Sequence, residues 1–443
     1  MPVELHDLRR YYKQCDPFLP LPAGHPAYVP LDEGHPVRGD RTCIDVLYQT
    51  VAIAEISCQL FTGFPGTGKT TELRRLEQRL NDAKDLPTAA IYVDFEEYLD
   101  RYTPISVTDV LRVVAYVMDR EATLAEGRDP DREPGYLRRF FDYLSQTDVE
   151  LQQAGFETYG ASLMLEIKNN PSFRRRAETA LSGRFQHFAS EAHHEMEQAI
   201  LRLRRAKGAL AERVVVIADG LEKLTPMREE DRSTMESSVE ALFLAHRDLL
   251  HLPCHVIYTF PLWLRFRNAH LGASYGGEPL VLPMVKVRSP DGSPYEPGIA
   301  KMTEMIQRRI DDLPAIFGPD PGATLRPLVE AAGGFPRDLL RMVRSILQST
   351  GGFPIGAKAA ERVIEDLGRT YADTILGTYV DILARVAETH ELPAETSDQL
   401  ALFGYLFERW LILAYRNGQE WYDLHPLVRR APKLRVRLEK AAG

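Results

Sequence analysis

The stretch Leu60–Leu76, "LFTGFPGTGKTTELRRL", contains a complete phosphate-binding motif. It matches the pattern G-x-x-x-x-G-K-S/T from Gly63 to Thr70. The glycines allow backbone N–H groups to point into a concave nest around phosphates. The apolar run 56–62 predicts a strand before the motif, and the leucine spacing after it predicts a helix over 69–82. The stretch therefore predicts a nucleotide-binding loop between a strand and a helix.

Each residue type in this loop has an expected role. We expect Lys69 to bridge the β- and γ-phosphates and the Thr70 hydroxyl to bind Mg²⁺. The following helix presents the positive end of its dipole to the anion. The other residues expected to surround the phosphates are Gly63, Phe64, Pro65, Gly66, Thr67, Gly68 and Thr71.

A second acidic element is expected at the end of another buried strand. The segment "VVVIADG" (214–220) supplies Asp219, which we assign to the water shell of Mg²⁺. Glu222 lies nearby and is interpreted as the residue that orients the attacking water. If Glu222 instead pairs with a surface lysine, hydrolysis will be slow. Thr259 ends a further strand, where it either bonds the γ-phosphate or attacking water or has a structural role.

Short apolar runs alternate with helical segments along the first two thirds of the chain. This alternation predicts an α/β fold in which a parallel sheet carries helices on both faces. Ligands of such sheets bind at the carboxyl ends of the strands, where the loop 63–70 lies. The predicted strands are 56–62, 89–98, 213–220, 254–260 and 279–287.

The chain becomes helical from about residue 297. In "GGFPRDLL" (333–340), Arg337 begins a helix after a Gly-Gly-Phe-Pro turn, so its guanidinium is placed to reach the γ-phosphate from a lid. The alternative is a surface arginine of a first helical turn. Further on, two aromatic runs flank Asn417-Gly418, which predicts a β-hairpin. Helices followed by a hairpin suggest a small winged-helix domain.

These observations divide the chain into four parts. Pro, Gly and His residues before position 40 predict an extended arm. A helix predicted from 136 to about 207 forms an insert, which we interpret as a docking surface. Its stretch 169–188, "NNPSFRRRAETALSGRFQHF", mixes basic and aromatic residues, and a solvated helix face is favoured over nucleic-acid binding there. The parts are 1–40, the arm; 41–295, the nucleotide-binding core with its insert at about 128–207; 296–355, a helical lid; and 356–443, a winged-helix-like domain.

Composition excludes several classes of protein. The 443 residues have a net charge of −9, which argues against a generic nucleic-acid binder. The four cysteines are scattered, so we expect no structural zinc and a reducing, cytoplasmic compartment. No run approaches 18 apolar residues, so neither secretion nor membrane spanning is expected.

Taken together, these motifs resemble the additional-strand P-loop ATPases, and within them the STAND and AAA+ branches. This resemblance implies a sheet of order 5-1-4-3-2, a helical lid and a C-terminal winged helix. "VVVIADGLEKL" is similar to a NACHT-type acidic motif, although Lys223 stands in place of its second acid. "GGFPRDLL" resembles the lid motif of origin-recognition-type ATPases, in which the arginine senses the γ-phosphate. "YDLHPLV" (422–428) resembles a STAND winged-helix motif, which implies that His425 touches the β-phosphate of ADP, although Pro426 replaces its usual Asp.

The function implied by this resemblance is a regulatory switch that binds ATP or ADP with Mg²⁺ and hydrolyses ATP slowly. It further implies a nucleotide-dependent homo-oligomer and a role in bacterial antiviral defence. Relatives carry effector and sensor domains at their ends, so we expect here a separate effector or sensor protein. The preference for adenine rests on the resemblance alone.

Two other functions are kept as alternatives. The first is a DNA-associated AAA+ ATPase of the initiator or transposition-helper type, which the basic tail "RRAPKLRVRLEK" (429–440) favours and the acidic net charge disfavours. The second is a small-molecule kinase, for which the sequence shows no acceptor pocket. Arginine fingers acting on a neighbouring copy have three candidates, and the spacing selects none of Arg247, Arg265 and Arg267.

Overall fold

A parallel sheet forms the centre of the nucleotide-binding core. The computed structural model describes residues 3–132, 135–136, 138–140, 161–182, 184–207, 212–268, 270–349, 352–394 and 396–442. The sheet strands are β1 (Cys58–Gly63), β2 (Thr88–Asp94), β3 (Arg213–Asp219), β4 (His255–Thr259) and β5 (Leu280–Leu282). They are parallel and lie in the order β2-β3-β4-β1-β5, which is 5-1-4-3-2 when read from β5. β5 is shorter than its predicted range 279–287, because Pro283 has no N–H to donate.

Both faces of this sheet are covered by helices, as predicted from its apolar strands. The covering helices are α2 (Cys43–Ile53), α3 (Lys69–Asp82), α5 (Val107–Ala125) and α8 (Phe185–Lys207), and the short α4 (Phe95–Tyr98) follows β2. Along β3, Val215 and Ile217 face α2 and α3, whereas Val214 and Val216 face α5 and α8. This alternation follows the two-residue period of a strand.

The helical insert is broken where a single helix was predicted from 136 to about 207. Part of that range lies outside the described residues. Inside them, α6 (Ala161–Asn169) stops before Asn170, and α7 (Pro171–Ser182) begins at a proline, which disfavours helical backbone in the residue before it. Arg174 anchors the insert to the core, because its guanidinium donates to the carboxylate of Asp109 at 2.6 Å.

The N-terminal arm is not wholly extended, and the prediction for 1–40 was wrong on this point. It contains α1 (Leu5–Gln14), whose Tyr11 is buried together with Cys15 just beyond its end. The helical spacing from Tyr11 to Cys15 was a signal for this helix. Arg309, which follows the first lid helix, donates to the backbone carbonyl of Gln14 at 3.1 Å. The arm is therefore packed on the lid.

The lid and the C-terminal region form one continuous helical body with the arm. The lid helices are α11 (Glu296–Gln307), α12 (Leu313–Phe317), α13 (Pro321–Ala332) and α14 (Pro336–Leu347). Two further helices, α9 (Arg232–Glu240) and α10 (Leu262–Arg267), precede them in the chain and belong to the core. The C-terminal elements are α15 (Ala357–Asp373), α16 (Val380–Thr389), α17 (Ser397–Glu408), β6 (Ile412–Asn417), β7 (Gln419–Leu424), α18 (Pro426–Arg429) and α19 (Pro432–Ala442). A single apolar cluster joins buried side chains of all three regions.

The predicted hairpin is confirmed. β6 and β7 pair antiparallel, with Asn417 opposite Gln419 and Gly418 between them at φ +73°. A glycine suits this turn because L-residues with a side chain rarely adopt positive φ. Across the described ranges, no helix has both the length and the apolar character needed to cross a membrane.

Candidate functional site

The phosphate loop runs from Gly63 to Gly68 and closes around a lysine. Gly66 and Gly68 have φ values of +95° and +97°, which turn successive N–H groups towards one side. Lys69, the first residue of α3, folds back so that its Nζ donates to the carbonyls of Gly63 at 3.0 Å and Phe64 at 3.1 Å. The ammonium group of Lys69 thus lies inside the predicted phosphate loop.

The two predicted metal residues meet at the carboxyl ends of the strands. The Thr70 hydroxyl donates to Oδ2 of Asp219 at 2.6 Å, and Asp219 is fully buried. Its Oδ1 has no hydrogen-bond partner among the described residues. A buried carboxylate oxygen without a donor fits a divalent cation or a water bound to one. Thr70 and Asp219 would therefore hold Mg²⁺ together with nucleotide phosphates.

Glu222 reaches the same place from the turn after β3. Gly220 adopts φ +103°, and a short 3-10 helix, Leu221–Lys223, follows it. Oε1 of Glu222 lies 3.4 Å from Lys69 Nζ, and the two side chains are only 5% and 4% exposed. Burial lowers the pKa of Lys69, although Glu222 and Asp219 oppose that shift. Glu222 is therefore paired with the phosphate-loop lysine and not with a surface lysine.

The neighbouring Lys223 pairs with a different carboxylate. Its Nζ donates to Oε2 of Glu96 at 2.5 Å. Glu222 keeps one carboxylate oxygen, Oε2, for which the described residues supply no donor. Such an oxygen is free to accept a hydrogen bond from a water molecule.

Thr259 uses its hydroxyl within the sheet. Its Oγ1 accepts from the N–H of Gly220 at 3.0 Å and donates to the carbonyl of Ala218 at 3.3 Å. These bonds tie β4 to the end of β3 and fix the turn that carries Glu222. Thr259 therefore has a structural role at the end of the sheet. Its contact with the γ-phosphate stays a prediction.

Arg337, the predicted lid arginine, lies against the phosphate loop. A Cβ added to Gly66 would be 2.4 Å from its Nε and 2.7 Å from its Cζ. The guanidinium also lies over the ring of Phe18, 5.2 Å from the centroid. Its Nε has no hydrogen-bond partner within the described ranges, and burial lowers its pKa, which Asp338 partly opposes. The structure therefore brings lid and loop together at Arg337.

Substitution of Gly66 tests this close approach. Gly66→Ala should lower the free energy of unfolding more than Gly68→Ala, by about 1–3 kcal/mol, because only the first Cβ overlaps Arg337. Both glycines have similar positive φ, and a Cβ at Gly68 would meet nothing within 4 Å, so the backbone strain is matched. Urea unfolding of the nucleotide-free proteins measures the difference. Equal losses would show that Arg337 does not press on the loop.

His425 lies between the lid helix α14 and the C-terminal helix α15. Its Nδ1 accepts from the N–H of Leu427 at 3.2 Å and so caps α18, and its Nε2 lies 3.3 Å from Oδ2 of Asp338. The ring stacks on Tyr371 with centroids 4.4 Å apart. Nε2 makes no hydrogen bond with the described residues, and the contact with the β-phosphate that the resemblance implies stays a prediction.

Asp338 joins the lid to the C-terminal region. It is fully buried and also accepts from the Tyr371 hydroxyl at 2.7 Å. Burial favours its neutral form, but the adjacent His425 ring, the hydrogen bond from Tyr371 and the charge of Arg341 outweigh burial and hold its pKa below the usual value. Because Asp338 follows Arg337 directly, one helical turn contacts both the phosphate loop and the C-terminal region.

A second contact between the phosphate loop and the C-terminal region was not predicted from the sequence. Phe64 of the phosphate loop packs edge-on against Phe407 of α17, with centroids 5.4 Å apart. Phe407 in turn stacks on Phe266 of the core at 4.8 Å. Phe64 is fully buried, so its side chain has a packing role in addition to the expected backbone role at the phosphates.

The hairpin is docked on the nucleotide-binding core. The N–H of Met284 donates to the carbonyl of Ala414 at 3.0 Å, and Lys286 donates to the side chain of Asn417 at the hairpin tip. Arg265 pairs with Glu420 of β7 at 2.8 Å.

The three candidate arginine fingers all contact groups of their own chain. Arg265 makes the pair just described, and Arg267 pairs with Glu236 at 2.6 Å. Arg247 donates to the carbonyl of Leu244 at 3.3 Å. These contacts do not identify any of the three as an arginine finger for a neighbouring copy.

Comparison with known proteins adds little to this geometry. No family model and no curated protein matches the chain. Among solved structures, the crystal structure of Cdc6p from Pyrobaculum aerophilum is similar over 90% of this chain and 92% of that chain, with 13% identity and a TM-score of 0.34. A likeness this distant carries no functional argument. The fold assignment rests on the sheet order, the loop between β1 and α3, and the Thr70–Asp219 pair.

Proposed function

We propose that this P-loop NTPase binds and hydrolyses ATP with Mg²⁺ and works as a regulatory switch. In this proposal the lid reads the nucleotide and passes its state to the C-terminal region. One observation carries it: Arg337 packs on Gly66 of the phosphate loop, while Oδ2 of the adjacent Asp338 lies 3.3 Å from Nε2 of His425. The same turn of α14 is thus available to both the nucleotide and the C-terminal region.

The chemistry proposed for the site uses groups already in position. Mg²⁺ bound by Thr70 and Asp219 would neutralise charge on the phosphates. Phosphates would draw Lys69 away from the loop carbonyls and from Glu222, because they offer it a stronger anionic partner. Glu222 would then be free to accept a proton from, or orient, the attacking water.

The proposed switch depends on bonds that exist only with a γ-phosphate. A guanidinium such as that of Arg337 gains about 1.5–3 kcal/mol from each hydrogen bond to an anion. Loss of the γ-phosphate removes those bonds and changes the balance between two lid positions by about tenfold or more. Movement of α14 would pull on Asp338 and therefore on His425. We also propose, from the resemblance, that this change controls self-assembly or a separate effector.

Binding of DNA by the hairpin is less well supported. The hairpin tip is held by Lys286, and β7 is held by Arg265. A reader of DNA grooves would need this surface to be free.

The test is a comparison of wild type with Glu222→Gln. We expect Mg²⁺-dependent ATP hydrolysis by wild type and a loss of about 100-fold in kcat for the variant, with ATP binding retained. Glu229→Gln, which changes an exposed glutamate, is the matched control. Hydrogen exchange in β6 and β7 should differ between the ATP-loaded variant and its ADP complex. Absence of ATP binding by wild type would reject the proposal, and identical exchange would reject the switch.

A further inference from the structure

Asp219 has a second hydroxyl partner that no sequence motif identified. The hydroxyl of Tyr92, in the neighbouring strand β2, donates to Oδ2 of Asp219 at 2.5 Å. The hydroxyl of Thr70 donates to the same oxygen at 2.6 Å. Oδ2 therefore receives two hydrogen bonds, whereas Oδ1 receives none from the residues described.

An arginine packs on the face of the Tyr92 ring and helps to hold it in place. The guanidinium of Arg74 in α3 lies 3.4 Å from the ring centroid, and Arg74 pairs with Glu77 at 3.2 Å. The hydroxyl is the donor in its bond to Asp219, because a phenol can donate and a carboxylate can only accept.

We propose that Tyr92 is a positioning residue for Mg²⁺, acting through Asp219. Two donors on Oδ2 fix the rotation of the carboxylate and leave Oδ1 without a protein donor, so that Oδ1 is available to the cation or to one of its waters. Groups that orient a metal-binding carboxylate in this way affect metal affinity, because the unrestrained carboxylate must be ordered when the metal binds. This inference rests on the proposed function, since it concerns the metal of the same site.

The alternative is a hydrogen bond that only stabilises the sheet. Removal of the Tyr92 hydroxyl would then lower thermal stability without changing the dependence on Mg²⁺. The two roles are therefore separated by a titration with the metal and not by activity alone.

The experiment is a Mg²⁺ titration of ATP binding, followed by calorimetry, for wild type and Tyr92→Phe. The substitution removes one oxygen and keeps the ring beneath Arg74. We expect the half-saturating Mg²⁺ concentration to rise about tenfold, with nucleotide affinity in EDTA unchanged. Tyr48→Phe is the matched control, because Arg79 of α3 lies over the Tyr48 ring at 4.1 Å and, within the described part of the chain, the Tyr48 hydroxyl has no hydrogen bond.

A double-mutant cycle with Asp219→Asn completes the test. If Tyr92 acts through Asp219, Tyr92→Phe should have no further effect on Mg²⁺ dependence in the Asp219→Asn background. An unchanged Mg²⁺ titration for Tyr92→Phe, or an equal effect in both backgrounds, would overturn the inference. Those results leave the proposed function standing if wild type binds ATP with Mg²⁺. Failure of wild type to bind would reject both.

Discussion

Replacement of Lys69 with methionine should abolish ATP hydrolysis and weaken ATP binding by at least about 30-fold. A buried hydrogen bond to a charged group contributes about 1.5–3 kcal/mol, and the ammonium would make several with the phosphates. The side chain is 4% exposed, so water cannot replace it. Calorimetric titration with ATP and an assay of phosphate release measure the two effects.

The same substitution should also change the protein without nucleotide. Lys69→Met leaves Glu222 buried without its cation and leaves the carbonyls of Gly63 and Phe64 without their donor. We expect the free energy of unfolding to fall by about 3 kcal/mol, the usual result of removing one partner of a buried ion pair. Lys84→Met, at an exposed site after α3, is the control. Hydrolysis at the wild-type rate by Lys69→Met would place the phosphates elsewhere.

Replacement of Asp338 with asparagine should loosen the C-terminal region from the lid. Asp338 and His425 are both fully buried, and the carboxylate also binds Tyr371 and Arg341. The amide removes the charge that pairs with Arg341 and replaces one of the two oxygens that face Arg341, the buried Tyr371 hydroxyl and the His425 ring, and we expect a fall of about 1–3 kcal/mol in the free energy of unfolding. Limited proteolysis should then cut residues 356–442 more rapidly.

An exposed ion pair in the same region is the control for this experiment. Asp381 pairs with Arg437 at 2.9 Å, and its side chain is 83% exposed. Exposed pairs contribute little, so Asp381→Asn should leave unfolding and proteolysis unchanged. If Asp338→Asn behaves like Asp381→Asn, the lid and the C-terminal region are held together without this carboxylate.

The charge of Asp338 also predicts a dependence on pH. Its pKa in the folded protein lies below its ordinary value. The pKa of an aspartate in the unfolded chain is about 4. Above that pH the carboxylate contributes its full stabilisation, and this contribution is lost as the pH falls through the lower pKa of the folded protein. Asp338→Asn should therefore lose less stability than wild type between pH 4 and more acidic conditions, as measured by thermal unfolding.

Local motifs made part of this site predictable from the sequence. The residues from Gly63 to Thr70 are contiguous, so their chemistry can be identified without knowing the fold. Asp219 follows a run of apolar residues that indicates a buried strand, and parallel strands bring their carboxyl ends together. Arg337 was predictable because a lid helix beginning at a Gly-Gly-Phe-Pro turn presents its first turn to the loop.

The remaining features depend on contacts between distant segments. Tyr92 lies beside Asp219 only because β2 and β3 are neighbours in register, and its spacing in the sequence carries no sign of this. The contact between Asp338 and His425 was not predicted, because the two residues are far apart in the sequence and meet only in the folded chain. The arm helix α1 was missed because Pro and Gly in the rest of the arm dominated its composition.

The contact between Phe64 and Phe407 has a consequence for protein synthesis. Phe407 leaves the ribosome long after Phe64, so the sheet and the phosphate loop can form while one apolar wall of the loop does not yet exist. Domains generally fold in the order in which they are made. A nascent chain should therefore acquire a finished nucleotide site only when α17 has been translated and has docked, and ATP would then bind completed molecules in preference to growing ones.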